Sequence, residues 1–176
     1  MVRLLRNISF STCALALAST LILMLLAVAP AAASQDPDRD LKGFDEQIKR
    51  REMASRALSK GRTYLEDKSY KLARESLIEA LRLYEDLHEA RFYLGLTEYR
   101  DGKFKLAVAQ FKSLYKRKPS YPTLSLELAR GYLALRQCSV ASRWLKIHLG
   151  REEKSKESDK LKREIAKCAK NQEKQH

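Results

Sequence analysis

The sequence predicts an all-α protein, a right-handed superhelical solenoid of stacked helix-turn-helix repeats with a capping helix at the C-terminal end. Three observations lead to this prediction. From Phe44 to Leu149 the composition is almost continuously helical, and no window alternates Val, Ile and Thr as a strand would. Many positions of this region recur every 34 residues. A last amphipathic stretch, 161–169, follows a charged run.

The first 33 residues have the layout of an export signal ahead of the fold. Arg3 and Arg6 give a positive start, residues 9–28 are apolar and uncharged, and Pro30 precedes three alanines. This order is typical of a secretory signal peptide cleaved after Ala33. An uncleaved anchor helix is the alternative, because about twenty apolar residues can span a bilayer.

The positive charge of the chain is concentrated in its second half. The formal net charge is +13, and residues 103–150 hold ten basic side chains and a single acid, Glu127. A basic domain attracts nucleic acid, anionic lipid or acidic protein segments. Export disfavours nucleic acid, so weak contact with anionic envelope components and binding of an acidic protein segment remain. A basic surface that only keeps the protein soluble is the alternative.

The period of 34 residues appears at several packing positions. Gly61 and Gly95 are one period apart, and so are Tyr70 and Phe104. Two series run through all three copies: Ala73, Ala107 and Ala141, and Leu77, Phe111 and Leu145. Glycine and alanine let two helices approach closely, while leucine and phenylalanine fill the space between hairpins. A single hairpin cannot bury its apolar face, so neighbouring hairpins must stack.

This residue set resembles the tetratricopeptide repeat, whose pattern is W-x2-L-G-x2-Y, then A-x3-F, then P. The second copy matches Leu94-Gly95, Ala107-x3-Phe111 and Pro119, but has Glu98 at the tyrosine position. The resemblance implies about three repeats in an exported bacterial protein. The predicted repeats are 54–87, 88–121 and 122–150. A flexible N-terminus and helical lead-in, 34–53, precede them. A charged linker and capping helix, 151–172, and a tail, 173–176, follow.

The resemblance also implies a binding surface, because members of the family usually bind on the inner face formed by the first helix of each hairpin. The family's inner positions fall on Arg62, Glu89, Phe92, Tyr99, Arg100, Leu126 and Arg130. Arginine beside aromatic rings suits an acidic or C-terminal peptide segment. The alternative is that these arginines are merely solvated. Leu58 and Arg62 stand where chaperone-binding members carry a carboxylate clamp of Lys and Asn, so that function is not implied.

Cys138 and Cys168 are the two cysteines beyond the signal segment. Cys138 is expected at the start of the second helix of the third hairpin, and Cys168 late in a capping helix packed beside it. An exported protein with two such cysteines favours a disulfide between them. Two free buried thiols are the alternative.

The sequence lacks the motifs of an enzyme, a metal site or a cofactor site. It has three histidines, and no HExxH, P-loop or GxGxxG motif occurs. We therefore expect a non-enzymatic periplasmic scaffold that binds a peptide segment of an envelope or secretion-system partner, without cofactor or metal. The alternatives are a self-assembling structural protein and an adaptor tethered by an uncleaved N-terminal segment.

Overall fold

The computed structural model describes residues 37–151 and 155–174, which form seven α-helices and no strand. The predicted signal segment lies outside the described residues. The helices are α1 (Pro37–Glu66), α2 (Tyr70–Leu83), α3 (His88–Arg100), α4 (Phe104–Arg117), α5 (Leu124–Ala134), α6 (Cys138–Leu149) and α7 (Lys156–Glu173). The repeats lie in the compact unit Phe44–His176. The other unit is Met1–Gly43, of which only residues 37–43 are described, and they are helical.

The six helices from α1 to α6 pair into three hairpins, and the turn of each hairpin contains a residue with positive φ. These residues are Lys68 (φ 59°), Gly102 (φ 77°) and Arg136 (φ 59°), spaced by one repeat period. Left-handed backbone costs an L-residue about 1–2 kcal/mol, and glycine escapes this cost. The same turn is therefore imposed at all three sites, although only the second has the residue that favours it.

The hydrophobic core consists of three clusters, each at a boundary between neighbouring units. The cluster between repeats 1 and 2 contains Leu58, Leu77, Ala80, Ala90 and Leu94. That between repeats 2 and 3 contains Ala107, Val108, Phe111, Leu114, Leu124 and Leu128. The last one joins repeat 3 to α7 through Leu126, Ala129, Ala141, Leu145, Leu161 and Ile165. Each unit thus packs on its neighbour, as expected for a solenoid.

Helix α7 caps the array and begins earlier than the sequence predicted. The segment 151–172 was expected to hold a charged linker and then a capping helix around the amphipathic stretch 161–169, and α7 starts at Lys156. Ser155 and Ser158 form a capping box, with each backbone N–H donating to the other residue's hydroxyl over 3.0 and 3.1 Å. Two of the N–H groups that have no partner within the helix are satisfied in this way. Because the second partner is serine and not the usual glutamate or glutamine, the motif was inconspicuous in the sequence.

Helix α1 also begins before its predicted start. Residues 34–43 were expected to be flexible, with helical turns from Phe44, yet α1 runs from Pro37 without a break to Glu66. Proline is well suited to the first position of a helix, since its fixed φ is helical and its missing N–H has no partner there.

Candidate functional site

Arg62, near the end of α1, reaches across to α3. Its Nη1 lies 3.4 Å from Oε1 of Glu89, and its guanidinium carbon lies 5.0 Å from the centre of the Tyr93 ring. The side chains of Arg62 and Glu89 remain 47% and 44% exposed. An ion pair this exposed contributes less than about 1 kcal/mol. Arg62 therefore lies against the Tyr93 ring and forms only a weak ion pair with Glu89.

Aromatic side chains extend this surface beside Arg62. The ring of Phe92 is 5.0 Å from that of Tyr121 and 5.9 Å from that of the buried Phe111. Burial raises the pKa of the Tyr121 hydroxyl, and Glu89 raises it further while Arg62 lowers it. Tyr121 thus lies in the field of the Arg62–Glu89 pair, and the predicted residues Arg62, Glu89 and Phe92 belong to one cluster.

Tyr93 and Tyr121 belong to this cluster, although the sequence analysis did not include them. Tyr93 follows Phe92 directly, and Tyr121 lies in the segment between α4 and α5. The inner positions of the family lie on one face of the first helix of each hairpin, and neither Tyr93 nor Tyr121 occupies one of them. The succession of aromatic residues at 92, 93 and 121 was the available indication.

Tyr99, Arg100 and Arg130 occupy the other end of the predicted surface. Tyr99 and Arg130 line one cavity together with Leu133, Glu157, Lys160, Leu161 and Glu164. Arg130 donates to Glu127 over 2.7 Å and lies 3.1 Å from Glu157 of α7. Arg100 is exposed at the end of α3. Arg130 is therefore engaged by two carboxylates, and Arg100 projects to solvent.

Glu127 is a buried carboxylate beneath this end of the surface. It is 6% exposed, and burial raises its pKa, an effect opposed first by Arg130 and more weakly by Arg100. The pKa of Tyr99 is raised by burial and then by Glu127, with Arg130 opposing. The charge of Arg130 is thus largely compensated within the protein by Glu127 and Glu157.

The prediction that Leu126 lines the groove is wrong. Leu126 is 3% exposed and packs in the cluster that contains Leu161 and Ile165 of α7. The family position assumes that the inner face of the last repeat is open, whereas here α7 covers it. Arg130 is also left out, because Glu127 and Glu157 already engage it. We call the five other predicted residues, together with Tyr93 and Tyr121, the arginine–aromatic surface: Arg62, Glu89, Phe92, Tyr93, Tyr99, Arg100 and Tyr121.

Cys138 and Cys168 form a disulfide that fastens α7 to the third repeat. Their Cα atoms are 5.9 Å apart, and the two residues are 2% and 5% exposed. Cys138 is the first residue of α6. The bond therefore holds the cap whose other end engages Arg130 through Glu157.

No group of three or more His, Cys, Asp or Glu side chains in 37–151 and 155–174 is placed to hold a metal ion. In the same ranges, no helix has both the length and the apolar character that crossing a membrane requires.

Comparison with known proteins identifies the fold. No family model matches the sequence, and no curated protein matches it either. Among solved structures, the chain is similar to the first TPR domain of the human RPAP3 protein, with a TM-score of 0.66 and 18% identity over 70% of this chain and 98% of that one. It is also similar to the TPR domain of Arabidopsis OM64, with a TM-score of 0.64 and 14% identity over 67% and 98% of the two chains.

A third similar structure is the first TPR of Spaghetti (RPAP3) bound to the HSP90 peptide SRMEEVD. Its TM-score is 0.64, at 17% identity over 68% of this chain and 94% of that one. The chain therefore has the tetratricopeptide repeat fold, with about three repeats, and the predicted fold class is confirmed.

Proposed function

We propose that this chain is an exported, non-enzymatic scaffold whose arginine–aromatic surface binds a peptide segment of an envelope or secretion-system protein. The observation that carries the proposal is the placement of two exposed arginines along α3, Arg62 beside its first half and Arg100 at its end, with aromatic rings next to Arg62.

The chemistry of this surface favours an acidic segment. A guanidinium group binds a carboxylate through two parallel hydrogen bonds, and Phe92 and Tyr121 offer apolar contact to neighbouring side chains. A ligand carboxylate would take the place of Glu89 on Arg62 without leaving a buried charge unpaired, because both groups are about half exposed. The basic second half of the chain, with ten cations and one acid in 103–150, would attract such a segment from a distance.

The solved structures support a peptide ligand. The Spaghetti domain binds SRMEEVD, a peptide with three acidic residues, and the TPR2B domain of yeast Sti1 is in a complex with pHsp70. The chaperone carboxylate clamp is not part of the proposal. One of its positions is Leu58, which is 7% exposed and belongs to the core between repeats 1 and 2.

Two observations support export to the periplasm. Residues 1–33 have the layout of a signal peptide, and the Cys138–Cys168 disulfide is a bond that persists in oxidising compartments. Intact mass and N-terminal sequencing of the protein from its host distinguish cleavage after Ala33 from retention as an anchor. Recovery in the cytoplasmic fraction, with reduced cysteines, would contradict export.

The binding proposal is tested by photo-crosslinking in the native host. A photoreactive amino acid replaces Arg100 in one variant and Lys162, an exposed residue of α7, in the other. We expect a defined protein adduct from position 100 and none from position 162. In an Arg62→Ala background the adduct should weaken, whereas Lys71→Ala should leave it unchanged. Identical adducts from both positions, or none from position 100, would refute the proposal.

One observation favours self-association as the second candidate. At the N-terminal end of the solenoid, Met53 is 44% exposed and lines a groove between α1 and α2 with Lys60 and Leu83. One period later, Lys60 corresponds to Leu94, which is buried against repeat 1. The groove is thus a stacking surface, and a second copy would cover it. Light scattering tests this: a dimer that Met53→Glu dissociates supports it, and a monomer at high concentration excludes it.

A further inference from the structure

The second helices of repeats 2 and 3 contain no acidic side chain. Six of their cations are exposed, and Arg117 among them is paired with Glu85. We call the other five the outer basic surface: Lys105, Lys112, Lys116, Arg143 and Lys146. Their spacings of three, four and seven residues put each set on one stripe of its helix. The rings of Tyr115 in α4 and Trp144 in α6 meet edge to face at 4.8 Å, so the two helices are neighbours.

These five cations form no ion pair with a described residue, whereas several arginines elsewhere do. Arg74 pairs with Glu98, Arg117 with Glu85, and Arg130 with Glu127. Glu127 is also the single acid of 103–150, and it is buried. The positive charge of the outer basic surface is therefore not neutralised within its own helices.

Repeat 1 carries less of this charge at the equivalent positions: Lys71, Glu75, Ile78 and Arg82 give +1, against +3 in repeat 2 and +2 in repeat 3. Glu75 of α2 corresponds to Ala109 in α4 and to Arg143 in α6. Ile78 corresponds to Lys112 and Lys146. A surface kept only for solubility has no need of this excess in repeats 2 and 3, since mixed charges at the same positions of repeat 1 already serve that purpose.

Two further features favour a bilayer over a nucleic acid as the polyanion. Leu106, next to Lys105, is 51% exposed, and an apolar side chain among lysines is suited to the boundary between lipid headgroups and acyl chains. The apolar run 9–28 is predicted to bring the chain to a membrane, whether it is cleaved or retained. Lysines near an anionic leaflet contribute additively and fade within a Debye length.

We propose that the outer basic surface binds the phosphate headgroups of an anionic bilayer, reversibly and with strong dependence on salt. The contact uses the second helices of repeats 2 and 3 and leaves the arginine–aromatic surface free. It is therefore independent of the peptide-binding proposal, and either one can fail alone. Its effect would be to hold a peptide-binding scaffold against the membrane.

Vesicle sedimentation with the full chain, as its host processes it, tests the proposal. The probes are vesicles of phosphatidylcholine alone and vesicles with about 30% phosphatidylglycerol, each at about 0.1 M and 0.5 M salt. We expect tighter binding to the anionic vesicles by at least about tenfold at low salt, and loss of this preference at high salt. Any insertion of residues 9–28 would contribute equally to both vesicles.

Two variants with the same change in net charge locate the contact. In the first, the five residues of the outer basic surface are replaced by Gln. In the matched control, five exposed cations of the first half are replaced by Gln: Lys49, Arg56, Lys60, Lys68 and Lys71. Glutamine has nearly the same helix propensity as lysine, so both variants should keep the wild-type melting temperature.

The first variant should lose affinity for anionic vesicles by about tenfold or more, down to its affinity for neutral vesicles, and the control by less than about threefold. Equal losses in the two variants would show that only net charge matters and would overturn the proposal. Binding that is the same with and without phosphatidylglycerol would also overturn it. Tighter binding to duplex DNA than to anionic vesicles under the same salt would reassign the surface to nucleic acid.

Discussion

Arg74 of α2 donates hydrogen bonds to both carboxylate oxygens of Glu98 in α3, over 2.8 and 3.2 Å. Glu98 stands where the tetratricopeptide pattern has tyrosine, and its side chain is 6% exposed against 20% for Arg74. Arg74 also lies 2.5 Å from Asp101. The pKa of Arg74 is raised chiefly by its hydrogen bond to Glu98, so the guanidinium stays charged. A partly buried ion pair thus joins repeats 1 and 2.

Removing one partner of this pair should destabilise the protein. For Glu98→Ala we expect a loss of about 3 kcal/mol in the free energy of unfolding, the lower end for a broken buried pair, because Arg74 keeps Asp101. Urea unfolding measures the loss. Replacing both residues, Arg74→Leu with Glu98→Tyr, should restore most of the stability, since Asp101 keeps Lys103 at 2.8 Å and no charge is left unpaired. A double variant as unstable as Glu98→Ala would show that the pair is not the cause.

Gly95 should not tolerate a methyl group. A Cβ at this position would lie 2.4 Å from Cε1 of Phe111, a fully buried ring that cannot move away without disturbing the core. Overpacking costs about 1–3 kcal/mol, while alanine regains about 1 kcal/mol of helix propensity. For Gly95→Ala we therefore expect a net loss of up to about 2 kcal/mol in urea unfolding.

Two further variants decide whether the loss at Gly95 comes from the ring. Gly43 is also helical, and nothing lies within 4 Å of a Cβ there, so Gly43→Ala should cause no loss. Adding Phe111→Leu to Gly95→Ala should cost less than the sum of the two single changes, because the smaller side chain leaves room for the methyl group. Additive losses would contradict the close-packing explanation.

Packing within the repeats could be predicted because the period of 34 residues exposes it. Gly95 and Phe111 belong to recurring series, and their close contact follows from the hairpin. The turns were harder to predict. Three equivalent residues have positive φ, but only Gly102 is of a residue type that indicates it. Lys68 and Arg136 adopt the same backbone because the packed helices on either side fix the turn.

The candidate site was predicted less well, since its two ends depend on elements outside the repeat pattern. Helix α7 covers Leu126 and pairs with Arg130. Because α7 is not part of a repeat, the period of 34 residues does not show which surface it packs on. Tyr121 approaches Phe92 from a loop. Arg62 and Glu89 were predicted together because both lie at inner positions of first helices, and the structure joins them.

The disulfide should stabilise the cap. It closes a loop with a sequence separation of 30 residues, for which loop entropy gives about 3 kcal/mol. Reduction, or the pair Cys138→Ser and Cys168→Ser, should lower the free energy of unfolding by that amount and speed hydrogen exchange first in α7. Thermal melts with and without a phosphine reductant measure the first effect. Unchanged melting together with unchanged exchange in α7 would contradict the stapling role.

Glu127 should make the stability of the protein decrease as the pH rises above the acid range. Burial raises the pKa of this carboxyl despite the nearby Arg130, so the native state holds the proton more tightly than the unfolded chain. The stabilising effect of that proton is complete below the unfolded Glu pKa of about 4.3 and disappears as the pH rises through the folded pKa.

Glu127→Gln removes this titration while keeping a polar side chain of similar size. We therefore expect the variant to gain stability relative to wild type between about pH 4 and pH 7, as measured by urea unfolding at several pH values. The 2.7 Å hydrogen bond from Arg130 has the opposite effect on the pKa of Glu127, because it favours the ionised carboxylate. A variant that instead loses stability relative to wild type as the pH rises would show that attraction to Arg130 outweighs burial.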